Sequence, residues 1–150
     1  MLLFDTTIAK GYMNTAGIGA GHTLDLLTTN GEHQAIPITA AKAIYFVGDL
    51  DQPYLPERKA FLSRPKIEGL WLKLTFRDGD ELEGIAANEL LDVLDGGVRL
   101  TPADLHGNCL RMFIPRPAIT EAKVLGVVGA SKRAPKPAIP PSAQPTLFSE

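Results

Sequence analysis

The sequence holds a single cysteine, Cys109, among its 150 residues. One thiol closes no intramolecular disulfide, and there is neither a Cys-x-x-Cys pair nor a Cys/His cluster at metal-ligand spacing. An excess of charge is also lacking: 15 Lys+Arg against 17 Asp+Glu leave a formal net charge of −2. No global basic field draws such a chain to nucleic acid, so RNA binding needs a local patch. No run approaches the roughly 20 apolar residues that span a bilayer. The opening MLLFDTTIAK has no basic start and no long apolar core, so it does not read as a secretory signal. These absences predict a cytoplasmic protein with no membrane partner, no metal and no cofactor.

What is present is a well-marked β pattern. Hydrophobic residues make up 45% of the chain, enough for a real core. In LWLKLTFRDGDELEG, Leu70, Leu72, Leu74 and Phe76 alternate with Lys73, Thr75 and Arg77, the period of a half-buried strand. A two-residue loop at Asp78-Gly79 pairs Phe76 with Glu81 and puts carboxylates on the core face. A three-residue loop, Arg77-Asp78-Gly79, pairs Leu74 with Leu82 and Leu72 with Gly84, with Gly79 in the left-handed position of a G1 bulge. The second register is the expected one. Gly84 either ends its strand or admits a neighbouring backbone.

The pattern occurs twice. Phe4 matches Phe76, Gly11 matches Gly84 and Asn14 matches Asn88. Ile36-Pro37 matches Ile114-Pro115, Ala40 matches Ala118 and Gly48 matches Gly126. Each copy runs hairpin, glycine, strand, turn, Ile-Pro, apolar strand, glycine, as expected of a duplicated module. Between the copies lies DLDQPYLPERKAFLSRPKIEG. PERKAFLS predicts a two-turn helix opened by Pro56 and stopped by Pro65. Tyr54, Leu55, Phe61 and Leu62 are expected to pack it. After Gly129 the composition turns proline-rich, which predicts a disordered arm ending in Leu147 and Phe148.

The expected fold is therefore all-β: two tandem small β-barrel modules or one fused β-sandwich. The modules fall at 1–50 and 69–129, the connector with its short helix at 51–68, and the disordered tail at 130–150. FDTTIAKGY, AKAIYFVGDL, FRDGDELEG and LTPADLHGNCLRMFIP together resemble a bacterial family known as a domain of unknown function. The first hairpin departs from its pattern by lacking Asp-Gly. The resemblance implies two tandem modules and brings no catalytic residues. Each module also resembles Sm-like or other SH3-like barrels through EGIAAN, VRL and RMFIPRPAITEAKVLG. Arg111 is followed by Met112 rather than the glycine of the Sm signature, so this likeness does not license RNA binding.

Several residues invite a chemical reading. Asp104, Asn108 and Arg111 in TPADLHGNCLR could converge on an anion; the plainer expectation is that Asp104 and Asn108 bond their own loop and Arg111 pairs with Asp104. Arg111 and Arg116 could line a cleft between modules for RNA or a small ligand. His22, His33 and His106 fall in separate turns and read as solvated. GIGAGH lacks the strand–loop–helix setting of a nucleotide site and reads as a loop. Asp78, Asp80, Glu81 and Glu83 read as a solvent-facing acidic set, and Lys132, Arg133 and Lys136 as a solubilising run. QPTLF resembles the bacterial sliding-clamp-binding motif: Gln144 at a pocket rim, Leu147 and Phe148 in an apolar cleft. Pro145 departs from it where leucine is usual. The function these features predict is a non-enzymatic binding or adaptor module with a protein partner, the DNA sliding clamp or a second copy of the chain.

Overall fold

The computed structural model describes residues 1–52, 58–89, 96–104 and 107–129. The strands in chain order are β1 (Leu2–Leu3), β2 (Gly11–Tyr12), β3 (Thr23–Thr28), β4 (His33–Pro37), β5 (Ala41–Val47), β6 (Gly69–Phe76), β7 (Glu81–Ala86), β8 (Gly97–Pro102), β9 (Cys109–Pro115) and β10 (Ile119–Val128). Single 3-10 turns at Ile38–Ala40 and Arg116–Ala118 precede β5 and β10. A seven-stranded sheet runs β1-β5-β9-β8-β7-β6-β10, and a three-stranded sheet runs β2-β3-β4.

The β6–β7 hairpin has the expected register. Leu74 lies opposite Leu82 and Leu72 opposite Gly84. Phe76 N donates to Asp80 O (2.8 Å), Gly79 N donates to Phe76 O (2.9 Å), and Gly79 has φ 90°. Glycine takes that conformation without the Cβ clash other residues suffer. Gly84 does not end β7. A Cβ there would sit 3.1 Å from both Leu100 Cβ and Thr101 O, so its bareness lets β8 approach.

The same construction recurs in the first half. Leu3 N donates to Thr7 O (2.9 Å) and Thr6 N to Leu3 O (3.1 Å), with Thr6 at φ 70° where the second half has Gly79. These bonds match Leu3, not Phe4, with Phe76, a one-residue correction of the expected alignment. Without an Asp-Gly pair to mark the turn, the aromatic residues were the stronger cue. Phe4 instead corresponds to Arg77: Phe4 N donates to Ala40 O and Arg77 N to Ala118 O, both at 3.0 Å. Leu24 pairs with Ile36 as Val98 pairs with Ile114. Leu3 pairs with Ala41 as Phe76 pairs with Ile119, and the register then shifts by one residue on both β5 and β10.

The halves are fused through one ladder. β5 of the first half pairs antiparallel with β9 of the second, Ile44 opposite Phe113 and Phe46 opposite Arg111. One apolar cluster belongs mostly to the second half and includes Leu72, Leu74, Phe76, Met112 and Ile114. The other groups Ile18, Leu24, Ile38, Ala41 and Ile44 of the first half around Phe113. Phe113 is thus a second-half side chain at the centre of first-half packing, and only 1% exposed. Polar contacts reinforce the joint. Lys42 on β5 meets Asp78 (2.8 Å) and Asp80 (3.0 Å) at the far hairpin turn. Arg77 Nη2 donates to Thr39 O (2.7 Å), and its guanidinium lies 3.8 Å from the centroid of the Phe4 ring.

The connector differs from expectation. Residues 58–63 form no helix, and residues 53–57, including Tyr54 and Leu55, lie outside the described residues. The segment instead runs as coil and bends against the β6–β7 hairpin. Glu83 N donates to Lys59 O (2.8 Å). Glu83 Oε1 accepts from Phe61 N (3.3 Å) and Trp71 Nε1 (2.9 Å), while the Phe61 and Trp71 rings meet edge to face. Leu62 does not pack; it is 83% exposed. Glu83 is accordingly not a solvent-facing carboxylate, although its strand neighbour Glu81 is exposed. The bonds that Glu83 makes with Phe61 N and the Trp71 indole outweigh the preference of a short segment for helix.

Two outcomes follow. Phe113→Ala removes the aromatic plug of the first half and should cost about 3–5 kcal/mol, read as a fall in the urea midpoint. For Asp80, partial burial works to raise the pKa, but hydrogen bonds from Lys59 and Lys42 outweigh it and hold the carboxyl down at about 2. A carboxyl with a folded pKa below its unfolded value stabilises above the unfolded pKa and loses that contribution as pH falls through the folded one. Stability should therefore drop as the pH is taken from about 4 towards 2. Asp80→Asn should flatten that part of a urea-midpoint-against-pH curve.

Candidate functional site

The β8–β9 loop and the strands around it carry the residues singled out from the sequence. Asn108 is a clamp between the halves. Its Oδ1 accepts from Asp49 N (3.0 Å), its Nδ2 donates to Asp49 O (2.7 Å), and its carbonyl accepts from Gly48 N (3.0 Å). A side-chain amide carries side by side the acceptor and the donor that this pairing with one residue's backbone needs. Asp104 bonds within its own loop, Gly107 N donating to Asp104 O (3.4 Å). The expected Asp104–Arg111 ion pair is not among those of the described residues. Arg111 sits on β9 and is exposed, whereas Cys109 is buried, the ladder to β5 shifting register between them. Arg116 lies beyond the other end of β9 on the 3-10 turn, with its N–H donating to Gly96 O (3.0 Å). Asp104, Asn108, Arg111 and Arg116 therefore do not form one anion nest: the asparagine is consumed by the joint between halves and the two arginines are separated along β9.

Two of the recesses among the described residues bear on function instead. One, of about 290 Å³, opens where β7 diverges from β8 beyond their two paired positions, Gly84–Pro102 and Ile85–Thr101. Arg99 and Arg111 line it together with Ile85, Ala86 and Thr101. The other, of about 240 Å³, lies between β2–β3 and β5 in the first half and is walled by Met1, Tyr12, Met13, Tyr45, Phe46 and Val47 among others. Burial pushes the Tyr45 phenol up to about 12, so it stays a neutral hydrogen-bonding group at any physiological pH. In the sequence AIYFVG is the apolar strand that closes the first copy. No motif there signals the recess, which depends on β2 being only two residues long.

Cys109 is buried, and its Sγ donates to Arg111 O (3.3 Å). Burial pushes the thiol up to about 11, so it is protonated at neutral pH and is a packing residue there. Among the described residues no group of three or more His, Cys, Asp or Glu is placed to hold a metal ion. His22 and His33 lie on exposed surface and His106 lies outside the described residues. GIGAGH is a turn, with Gly17 and Gly19 at positive φ, as the sequence suggested. The tail residues Gln144, Leu147 and Phe148, and the basic run before them, lie outside the described residues. No helix among the described residues is long and apolar enough to cross a membrane.

A family model for a family of unknown function, DUF6982, matches residues 2–126. The chain belongs to DUF6982. The matched span begins at β1 and runs into β10, so both halves and the connector are DUF6982 sequence, and QPTLF lies beyond it. No curated protein and no solved structure matches the chain.

The two residue classes in this DUF6982 member separate by substitution. Asn108→Ala removes the two side-chain bonds to the Asp49 backbone, leaves the backbone bond from Gly48 N, and should cost about 1–2 kcal/mol. Arg111→Ala, at an exposed position, should stay within about 0.5 kcal/mol of wild type. Paired urea titrations read the contrast.

Proposed function

We propose that this chain is a cytoplasmic, non-enzymatic adaptor that holds a protein partner through short apolar anchors. The observation that carries the reading is the pairing of a β body, its two halves fused in one sheet, with a separate terminal QPTLF sequence. Several of the body's polar side chains are spent on the fold: Lys42, Lys59, Asp78 and Asp80 on one another, Glu83 on the connector, Asn108 on the joint. Gln144, Leu147 and Phe148 have the spacing of an amide rim contact followed by two apolar anchors, the arrangement that fits the cleft of a DNA sliding clamp. The apolar recess beside Tyr12 and Phe46 supports the same reading, as a place for an apolar side chain of the partner to rest against the body.

A second reading draws on Arg99 and Arg111, whose positions on one recess favour an anionic ligand, a small molecule or the phosphates of RNA.

Pull-down of purified sliding clamp by the full chain tests the first reading. Phe148→Ala should abolish recovery and Arg111→Ala should leave it intact. Equal recovery by wild type and Phe148→Ala excludes the tail as the anchor. Filter binding of RNA across a salt series, lost on Arg111→Ala, would instead favour the second.

A further inference from the structure

The joint between the two halves uses strand five of the first and strand four of the second. β5 pairs with β9, Ile44 opposite Phe113, Tyr45 opposite Met112 and Phe46 opposite Arg111. Because the halves repeat each other, each of these strands has a counterpart. β10 corresponds to β5, with Ile119 in the place of Ala41. β4 corresponds to β9, with Ile36-Pro37 in the place of Ile114-Pro115. Both counterparts are edges. β10 pairs with β6 alone and β4 with β3 alone. They are also the two substantial edges of the described structure, at ten and five residues, since β1 and β2 are only two residues long.

We infer that the chain self-associates head to tail, β10 of one copy pairing antiparallel with β4 of the next and so repeating between chains the β5–β9 joint made within each chain. Transferring the observed register places Ala122 opposite Ala35, Lys123 opposite Gln34 and Val124 opposite His33 of the neighbouring copy. The occupant is argued by continuity with the internal joint and by what the edge leaves uncovered. Val124 lies opposite Leu72, which is buried, so it is on the core face of the sheet, yet it is 57% exposed. Its counterpart Phe46 packs against the first-half cluster. Leu125 and Val127 are exposed as well, at 38% and 46%. An unpaired strand bearing such side chains is a template for a further strand. The residues that follow β10 in the same chain make a poor strand to fill it, because Pro135, Pro137, Pro140, Pro141 and Pro145 lack the N–H a ladder needs. Arg64 Nη2 donates to Val127 O (2.8 Å) and guards the far end, leaving Glu121–Leu125 as the open stretch.

The contact is heterologous: each chain offers one β10 and one β4. Such contacts close into a ring or grow into a filament, depending on the rotation per step. The contact is more polar than the internal one, Gln34 standing where Met112 stands and Lys123 where Tyr45 stands. It should therefore be weaker than a permanent interface, with chains that separate on dilution.

Two measurements on the full chain decide it. Sedimentation velocity over a concentration series reaching about the millimolar range should show reversible growth, shifted at least tenfold in concentration by Val124→Glu. Thermal melting of that variant should match wild type, since position 124 is exposed. In the second measurement, Val124→Cys chains are mixed with His33→Cys chains under mild oxidation, with wild-type chains as the control for native Cys109. A disulfide-linked pair should form in the mixture and not in either variant alone. A wild type that stays monomeric throughout the series overturns the inference. So does cross-linking of Val124→Cys chains to one another, which would mean two-fold β10–β10 pairing.

Discussion

The β5–β9 ladder is the constraint on which the rest of this fold depends. It joins strands about 65 residues apart in sequence and makes one seven-stranded sheet out of two halves, each too small for a generous core of its own. The ladder carries Phe113 into the first half, where it completes a cluster that Ile18, Leu24, Ile38, Ala41 and Ile44 cannot close by themselves. It brings Lys42 within reach of Asp78 and Asp80 and sets the loop after β5 against Asn108. The interior it closes is apolar: no polar or charged residue is buried among the described ones, and no buried side-chain nitrogen or oxygen among them lacks a partner. Register in such a core is not set by buried polar pairs. It is set by alternation, by the shared bulges at the starts of β5 and β10, and by bare glycine positions such as Gly84.

Much of this was written in the sequence in a form that elementary rules can read. Period-two alternation in Leu70–Phe76 marked a half-buried strand. The need to keep carboxylates off the core face chose the three-residue loop over the two-residue one, and Gly79 supplied the backbone that loop requires. The recurrence of Ile-Pro and of Ala40 and Ala118 marked the repeated strand ends and 3-10 turns. The first hairpin was harder because Thr6 takes the left-handed position without glycine to announce it. The connector was misread for a related reason. Helix propensity in PERKAFLS is a local quantity, whereas the non-helical path of residues 58–63 is held by Glu83 and Trp71, which are distant in sequence.

The candidate sites show the same division. That Asn108 and Asp104 serve loop structure was legible in their turn-forming chemistry, but the partner of Asn108, Asp49, lies across the joint between halves and leaves no local mark. Arg111 could be named but not placed, because its neighbour Arg99 depends on how far β7 and β8 stay together. The recess beside Tyr12 depends on the shortness of β2, a property of the three-dimensional edge rather than of any motif. Membership of DUF6982 covers the body and leaves QPTLF outside the matched span, so body and tail pose separate biochemical questions.

The placement of Phe113 has a consequence for biosynthesis. A ribosome delivers the N-terminal half first, and that half then waits with the edge of β5 bare and its cluster unplugged until β9 emerges. Long-range pairing of this kind is slow and leaves sticky surface exposed in the interim. Translation speed through the second half, and the chaperones attending it, thereby become part of what determines how much of this protein reaches its native state.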